Sequence, residues 1–192
     1  MTAELEAFIR HARAWRELHE RSTTDLRELA VLLPAACEAA EGADAHVSLQ
    51  HSSSVTSPVL RAECCFQRLH QASLDFSRAL NDMEMLHRAI MLRAALGGAA
   101  EVRCAAEQRA ANSGCGATSA DLAQWVALRI QMYQDDLDLK RSVLADVKLD
   151  NSAGTLQALA VTWAAQPDIN EEHEAELAAR MALATAGNGE MS

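Results

Sequence analysis

The residues best placed to do chemistry are Glu84 and His87, a Glu-x-x-His pair one helical turn apart. Four-helix carboxylate metalloproteins carry that pair on two helices and one further Glu on each of the other two. A second pair is missing, because the stretch 119–148 has no His and Arg16 stands three residues before His19. His87 is read instead as a seam position of its helix. Asp135, Asp136 and Asp138 suggest a cation cluster, but carboxylates spaced along one helix do not converge on one ion. That run reads as a solvated face. Gly114-Cys115-Gly116 follows a helix rather than a strand, so it lacks the setting of a dinucleotide fingerprint and reads as a helix stop. No Gly-x-x-x-x-Gly-Lys, His-Glu-x-x-His or Gly-x-Ser-x-Gly occurs. Cys64-Cys65 reads as the flank of a helix. The expectation is a non-enzyme with no catalytic residue, no cofactor and no metal.

The elements that carry these residues are helices. Leu5, Phe8, Ala12, Trp15, His19, Ser22, Leu26, Leu29, Leu33, Ala36 and Ala40 follow one another at steps of three and four. That spacing predicts a coiled-coil-like first helix over about 2–41. Pro34 lies inside it and predicts a kink or break. Residues 42–57 have no period and read as a loop. Ser57-Pro58 opens a second long helix as N-cap and first residue, with a seam through Ala62, Phe66, Leu69, Phe76, Leu80, Met83, His87 and Ile90. Gly97-Gly98 is its weak point. At ~1.5 Å per residue it could exceed 70 Å. Thr118 or Ser119 caps a third helix to about Lys148, with two apolar stripes. One is Trp125, Leu128, Met132, Leu139 and Val143; the other is Val126, Ile130, Tyr133, Leu137, Leu144 and Val147. A helix with two apolar faces needs more than one neighbour. A short helix through Leu156, Leu159 and Trp163 stops at Gln166-Pro167. Asn170 caps a last, acidic helix ending at Gly187. The expected fold is all-α: a long antiparallel coiled-coil hairpin over 1–111, a C-terminal cluster of three helices over 118–187, and a tail at 188–192.

The bulk numbers agree with this. Of 192 residues, 49% are apolar and only 4% aromatic, so a core of Ala and Leu between helices is affordable in composition. The net charge of −10 and the absence of any basic run beyond Lys140-Arg141 argue against direct nucleic-acid binding. An odd count of five cysteines without Cys-x-x-Cys fits a reducing compartment better than a disulfide framework. No apolar run approaches the ~20 residues of a membrane span, and the N-terminus does not read as a signal peptide. Arg16-Glu17-Leu18 and Arg27-Glu28-Leu29 match a minimal cyclin-docking Arg-x-Leu, but Leu29 already belongs to the seam. Ser57 is the one proline-directed Ser/Thr and a candidate phosphorylation site.

In the third helix, Met132-Tyr133 leads into Leu137, then Leu139-Lys140-Arg141 and Val143. Downstream, Leu156, Leu159 and Trp163 precede Gln166-Pro167, and a last helix closes at Gly187. This run, from roughly 125 to 187, resembles the C-terminal signature of the cyclin-dependent kinase 2-interacting protein family. The resemblance implies an adaptor without enzymatic activity, found in the nucleus as well as the cytoplasm. Its implied partners are an AAA ATPase, a second small helical subunit and cyclin-dependent kinases. The implied processes are maturation of the large ribosomal subunit and replication-linked, cell-cycle protein turnover. A hetero-oligomer follows, with neither nucleic acid nor membrane bound directly. The expected partner-binding residues are Trp125, Met132, Tyr133, Leu139, Lys140, Arg141, Trp163 and Pro167, since large aromatic and Arg anchors dominate interfaces. The competing reading is that these residues close the C-terminal cluster against the hairpin. A second functional class, a structural coiled-coil component of a cytoskeletal or chromosome-segregation assembly, accounts for the seams but not for this signature.

Overall fold

The structure is a computed structural model. It describes residues 2–43, 57–108 and 119–166, with single positions between 169 and 179. Four helices follow in order: α1 (Thr2–Ala43), α2 (Pro58–Gln108), α3 (Ser119–Asp146) and α4 (Ala153–Ala165). The fold is all-α, a long helix pair with further helices packed on it, as the periodicity predicts. No strand occurs among the described residues.

Local chemistry sets the starts of α2 and α4. Ser57 caps α2: its Oγ accepts from the Val59 amide at 3.3 Å, and its carbonyl accepts from the Arg61 amide at 3.1 Å. Pro58 occupies the first turn, where its missing N–H has no intrahelical partner to lose. Ser152 caps α4 by accepting from the Thr155 amide at 3.2 Å. One expectation changes. α1 does not break at Pro34 but runs on to Ala43. Leu32, Leu33 and Ala36 around the proline are all buried, so packing holds the segment helical despite the lost backbone bond. α2 continues past Gly97-Gly98 as one long helix, as expected. The loop expected at 42–57 lies mostly outside the described residues, as do Ala40's side chain, Asn170 and most of the last helix.

Contacts divide the chain into two compact units that cut across the helices. The expected boundary near 111–118 follows chain order; packing groups pieces of α1, α2 and α3 instead. One unit, here the Phe8 unit, comprises 1–14, 78–135 and 167–192; the other, the Trp15 unit, comprises 15–77 and 136–166.

In the Phe8 unit, α1 contributes Leu5 and Phe8, α2 contributes Met83 and Ile90, and α3 contributes Leu122 and Val126, all buried. Glu4 pairs with Arg93 at 2.8 Å, and Gln134 donates to Glu84 at 2.9 Å. In the Trp15 unit the chain order of contacts shows α1 and α2 antiparallel. Trp15 meets Phe76, Asp25 meets Arg68, and Glu28 meets Arg61, so α2 numbers fall as α1 numbers rise. Leu26, Leu29 and Leu33 of α1 and Leu69, Ala72 and Phe76 of α2 are buried in this unit. α4 adds three buried side chains over its thirteen residues: Leu156, Ala160 and Trp163.

Candidate functional site: a buried ion pair, an apolar groove and an exposed helix face

The most unusual chemistry lies inside the Trp15 unit. Asp136 and Lys140 stand one turn apart on α3, and both side chains are 0% exposed. Lys140 Nζ donates to Asp136 Oδ1 at 2.5 Å. Trp15 Nε1 donates to Asp136 Oδ2 at 2.9 Å, and Gln166 Nε2 donates to the same oxygen at 3.2 Å. Both carboxylate oxygens are thus satisfied by donors from α1, α3 and the end of α4. The ammonium of Lys140 also lies 5.4 Å from the Phe76 ring centre and 5.3 Å from that of Trp163, within cation–π range. Trp15 and Phe76 pack with ring centres 4.6 Å apart, tilted by 56°. Burying two charges carries a large desolvation cost, repaid only with close geometry and further hydrogen bonds. All of these are present here.

Polar groups continue to one side. Trp163 Nε1 donates to Ser22 Oγ at 3.2 Å, and Ser22 Oγ in turn donates to the His19 carbonyl at 3.1 Å. His19 is half-buried, with Nε2 3.4 Å from the Thr23 hydroxyl. Burial first, and then the positive charge of Lys140, push its pKa down to about 4. The imidazole is therefore neutral at physiological pH. Gln166 closes α4 in the left-handed region at φ 40°, a strained position for a residue with a Cβ. Its side-chain bond to Asp136 holds it there.

A second feature of this unit is a groove of about 750 Å³. Leu29, Leu33 and Cys37 of α1 form one wall, Val59, Ala62 and Phe66 of α2 another, and Val147 and Leu149 after α3 the third. Glu63 and Lys148 are its charged members. Cys37 Sγ reaches the Leu149 carbonyl at 3.4 Å.

The Phe8 unit also buries a charged side chain. Arg129 is 4% exposed, its guanidinium carbon lies 5.3 Å from the Phe8 ring centre, and Nη2 reaches the Tyr133 hydroxyl at 3.4 Å. The same unit leaves apolar side chains on its surface. Met85 is 56% exposed, Leu92 61% and Leu96 74%. Spaced by seven and four, they lie on one face of α2.

The expected partner-binding residues separate accordingly. Tyr133, Lys140 and Trp163 are buried within the chain. This corrects their placement on a contact surface: in the closed fold they are core. Trp125, Met132 and Leu139 are half-buried, Arg141 is exposed, and Pro167 lies outside the described residues. Arg141 donates to Ser77 Oγ at 3.1 Å and to Asp138 at 3.3 Å. The solvated reading of 135–138 holds for Asp135 and Asp138, which are exposed, and fails for Asp136. Charge alone points the carboxylate outward. Yet Leu122, Val126, Arg129, Tyr133, Asp136, Lys140, Val143 and Val147 form one unbroken three–four line, and every member is buried. That spacing, with acid and base four apart, was the available signal. Glu84 of the Glu-x-x-His pair accepts from Gln134 and lies 3.9 Å from Arg88. Among the described residues, no three His, Cys, Asp or Glu side chains gather as metal ligands. No helix among them is long and apolar enough to cross a membrane.

No family model, curated protein or solved structure matches the chain.

Proposed function

We propose that the chain is a non-enzymatic adaptor that works by binding other proteins. The exposed apolar face of α2 carries this reading. A line of three large apolar residues, Met85, Leu92 and Leu96, is more than the scattered surface Leu of an ordinary monomer, and such faces mark docking sites. Leu128 on α3, exposed between half-buried Trp125 and Met132, adds a second apolar position in the same unit. The more specific assignment rests on the resemblance carried by Met132-Tyr133, Leu139-Lys140-Arg141 and Trp163. It is a subunit of an AAA-ATPase assembly, paired with a second small helical protein. The assembly serves large-subunit ribosome maturation and replication-linked or cell-cycle processes, in nucleus and cytoplasm.

Because Tyr133 and Trp163 are core residues, substituting them would confuse unfolding with lost contact. The test uses surface substitutions. The tagged chain and a Leu92→Glu/Leu96→Glu version are purified from their own cells, and co-purifying proteins are identified by mass spectrometry. The expected result is an AAA ATPase and a small helical protein with the wild type and neither with the variant. Recovery only of cytoskeletal or chromosome-segregation coiled-coil proteins would replace the adaptor with the structural reading.

A further inference from the structure

We propose that α4 is a displaceable latch. It opens from the Trp15 unit while α1, α2 and α3 stay folded, and it uncovers the Asp136–Lys140 pair beneath it. This goes beyond the adaptor reading and stands without it, because opening is a property of the chain alone.

The first observation is how lightly α4 is held. Three of its thirteen residues are buried. It is tied to α3 through an exposed turn, where the Lys148 amide donates to the Asn151 side chain and Leu149 faces solvent. Elements with few buried side chains open at lower free energy than the core around them.

The second observation is the chemistry beneath. A permanently covered floor is best built from apolar groups, because buried charge is expensive. Here α4 covers the Asp136–Lys140 pair, and Trp163 lies against the Lys140 ammonium. On opening, the pair is returned to water with its helix-internal bond intact, so hydration offsets part of the lost aromatic contact. An apolar floor would have no such compensation.

The third observation is the fastening. Trp163 Nε1 to Ser22 Oγ and Gln166 Nε2 to Asp136 Oδ2 join α4 and its last residue to α1 and α3. The second bond holds Gln166 at φ 40°. Opening breaks it and releases the backbone from that region at the same time. The closed state thus depends on two directional bonds and on the burial of Leu156, Ala160 and Trp163.

Native-state hydrogen exchange on the full chain, followed by mass spectrometry across low urea, tests this. The expected result is that amides of 156–165 exchange at least about tenfold faster than those of 65–76, with little urea dependence, as local opening requires. Equal rates with the same urea dependence would mean that α4 leaves only on global unfolding, and the latch would be wrong. Trp163→Phe keeps the ring and removes the N–H. Exchange in 156–165 should then rise about fivefold, the effect of one hydrogen bond, with 65–76 unchanged. No rise would overturn the latch.

Discussion

The two units answer the same packing demand differently. One three–four line on α3 supplies both with buried charge: Arg129 to the Phe8 unit, Asp136 and Lys140 to the Trp15 unit. In each, a cation rests about 5 Å from an aromatic centre. In the Trp15 unit the cation also has a carboxylate one turn away on its own helix, itself held by Trp15 and Gln166. In the Phe8 unit the guanidinium of Arg129 lies near the Phe8 ring and the Tyr133 hydroxyl. Both units leave large apolar side chains in solvent, Met85, Leu92 and Leu96 along one face of α2 in the Phe8 unit, and Val31, Leu60, Leu74 and Val161 in the Trp15 unit. The comparison teaches that polarity inside a helical protein is a poor guide to where it meets partners. Arg129, Asp136 and Lys140 lie in the core, while Met85, Leu92 and Leu96 lie outside.

Breaking the ion pair on one side is the most severe test of that contrast. Asp136→Ala leaves Lys140 buried without its carboxylate and should cost about 3–5 kcal/mol, read as a lower urea midpoint. Trp15→Phe, which keeps a ring beside Phe76 but removes the donor to Asp136, should cost about 1.5–3 kcal/mol in the same assay, as for a bond to a charged acceptor.

His19 gives a pH handle on the Trp15 unit. Its pKa falls from the ordinary 6.5 to about 4 in the fold. The unfolded chain therefore binds the proton first. Stability is full above about pH 6.5 and declines as pH drops toward 4. After allowance for the partial exposure of the ring, the loss should be about 1–2 kcal/mol. Urea midpoints at pH 7.5 and 4.5 should differ less in His19→Gln than in the wild type by that amount.

Smaller effects sharpen the other side of the comparison. Leu92→Glu/Leu96→Glu should change stability by no more than about 0.5 kcal/mol, as for exposed positions; a larger loss would place that face in a core. The smallest expected effect is chemical. Cys64 is exposed, whereas Cys65 is buried and its thiol is pushed up to about 11 by burial and by nearby Glu28. Maleimide at neutral pH should label Cys64 and spare Cys65 in the folded chain, as peptide mapping would show.

Much of the fold was legible in the residues. The first seam runs from Leu5 to Ala40 in the sequence, and its apolar members from Leu5 to Ala36 are buried in the structure. Ser57-Pro58 and the stop at Gln166 were read from capping chemistry and fall where expected. The site was less legible. Ser22 and His19 looked like weak seam positions, because a sequence shows polarity without its partner. Ser22 is buried because Trp163, 141 positions away, donates to it. Asp136 reads as solvated because a run of charge along a helix usually is. In the fold, bonds from Trp15, 121 positions away, from Gln166 and from Lys140 set it apart from its neighbours Asp135 and Asp138.

The sequence by itself determined what depends on near neighbours: helix type, spacing of apolar faces, caps and turns. These follow from 3.6-residue periodicity and from backbone groups satisfied within one turn. The tertiary structure alone decided which polar residues enter the core, that Pro34 would not end α1, and that α4 would close over a charged floor. Each turns on groups far apart in the chain, where burial is favourable only once every donor and acceptor has found its partner.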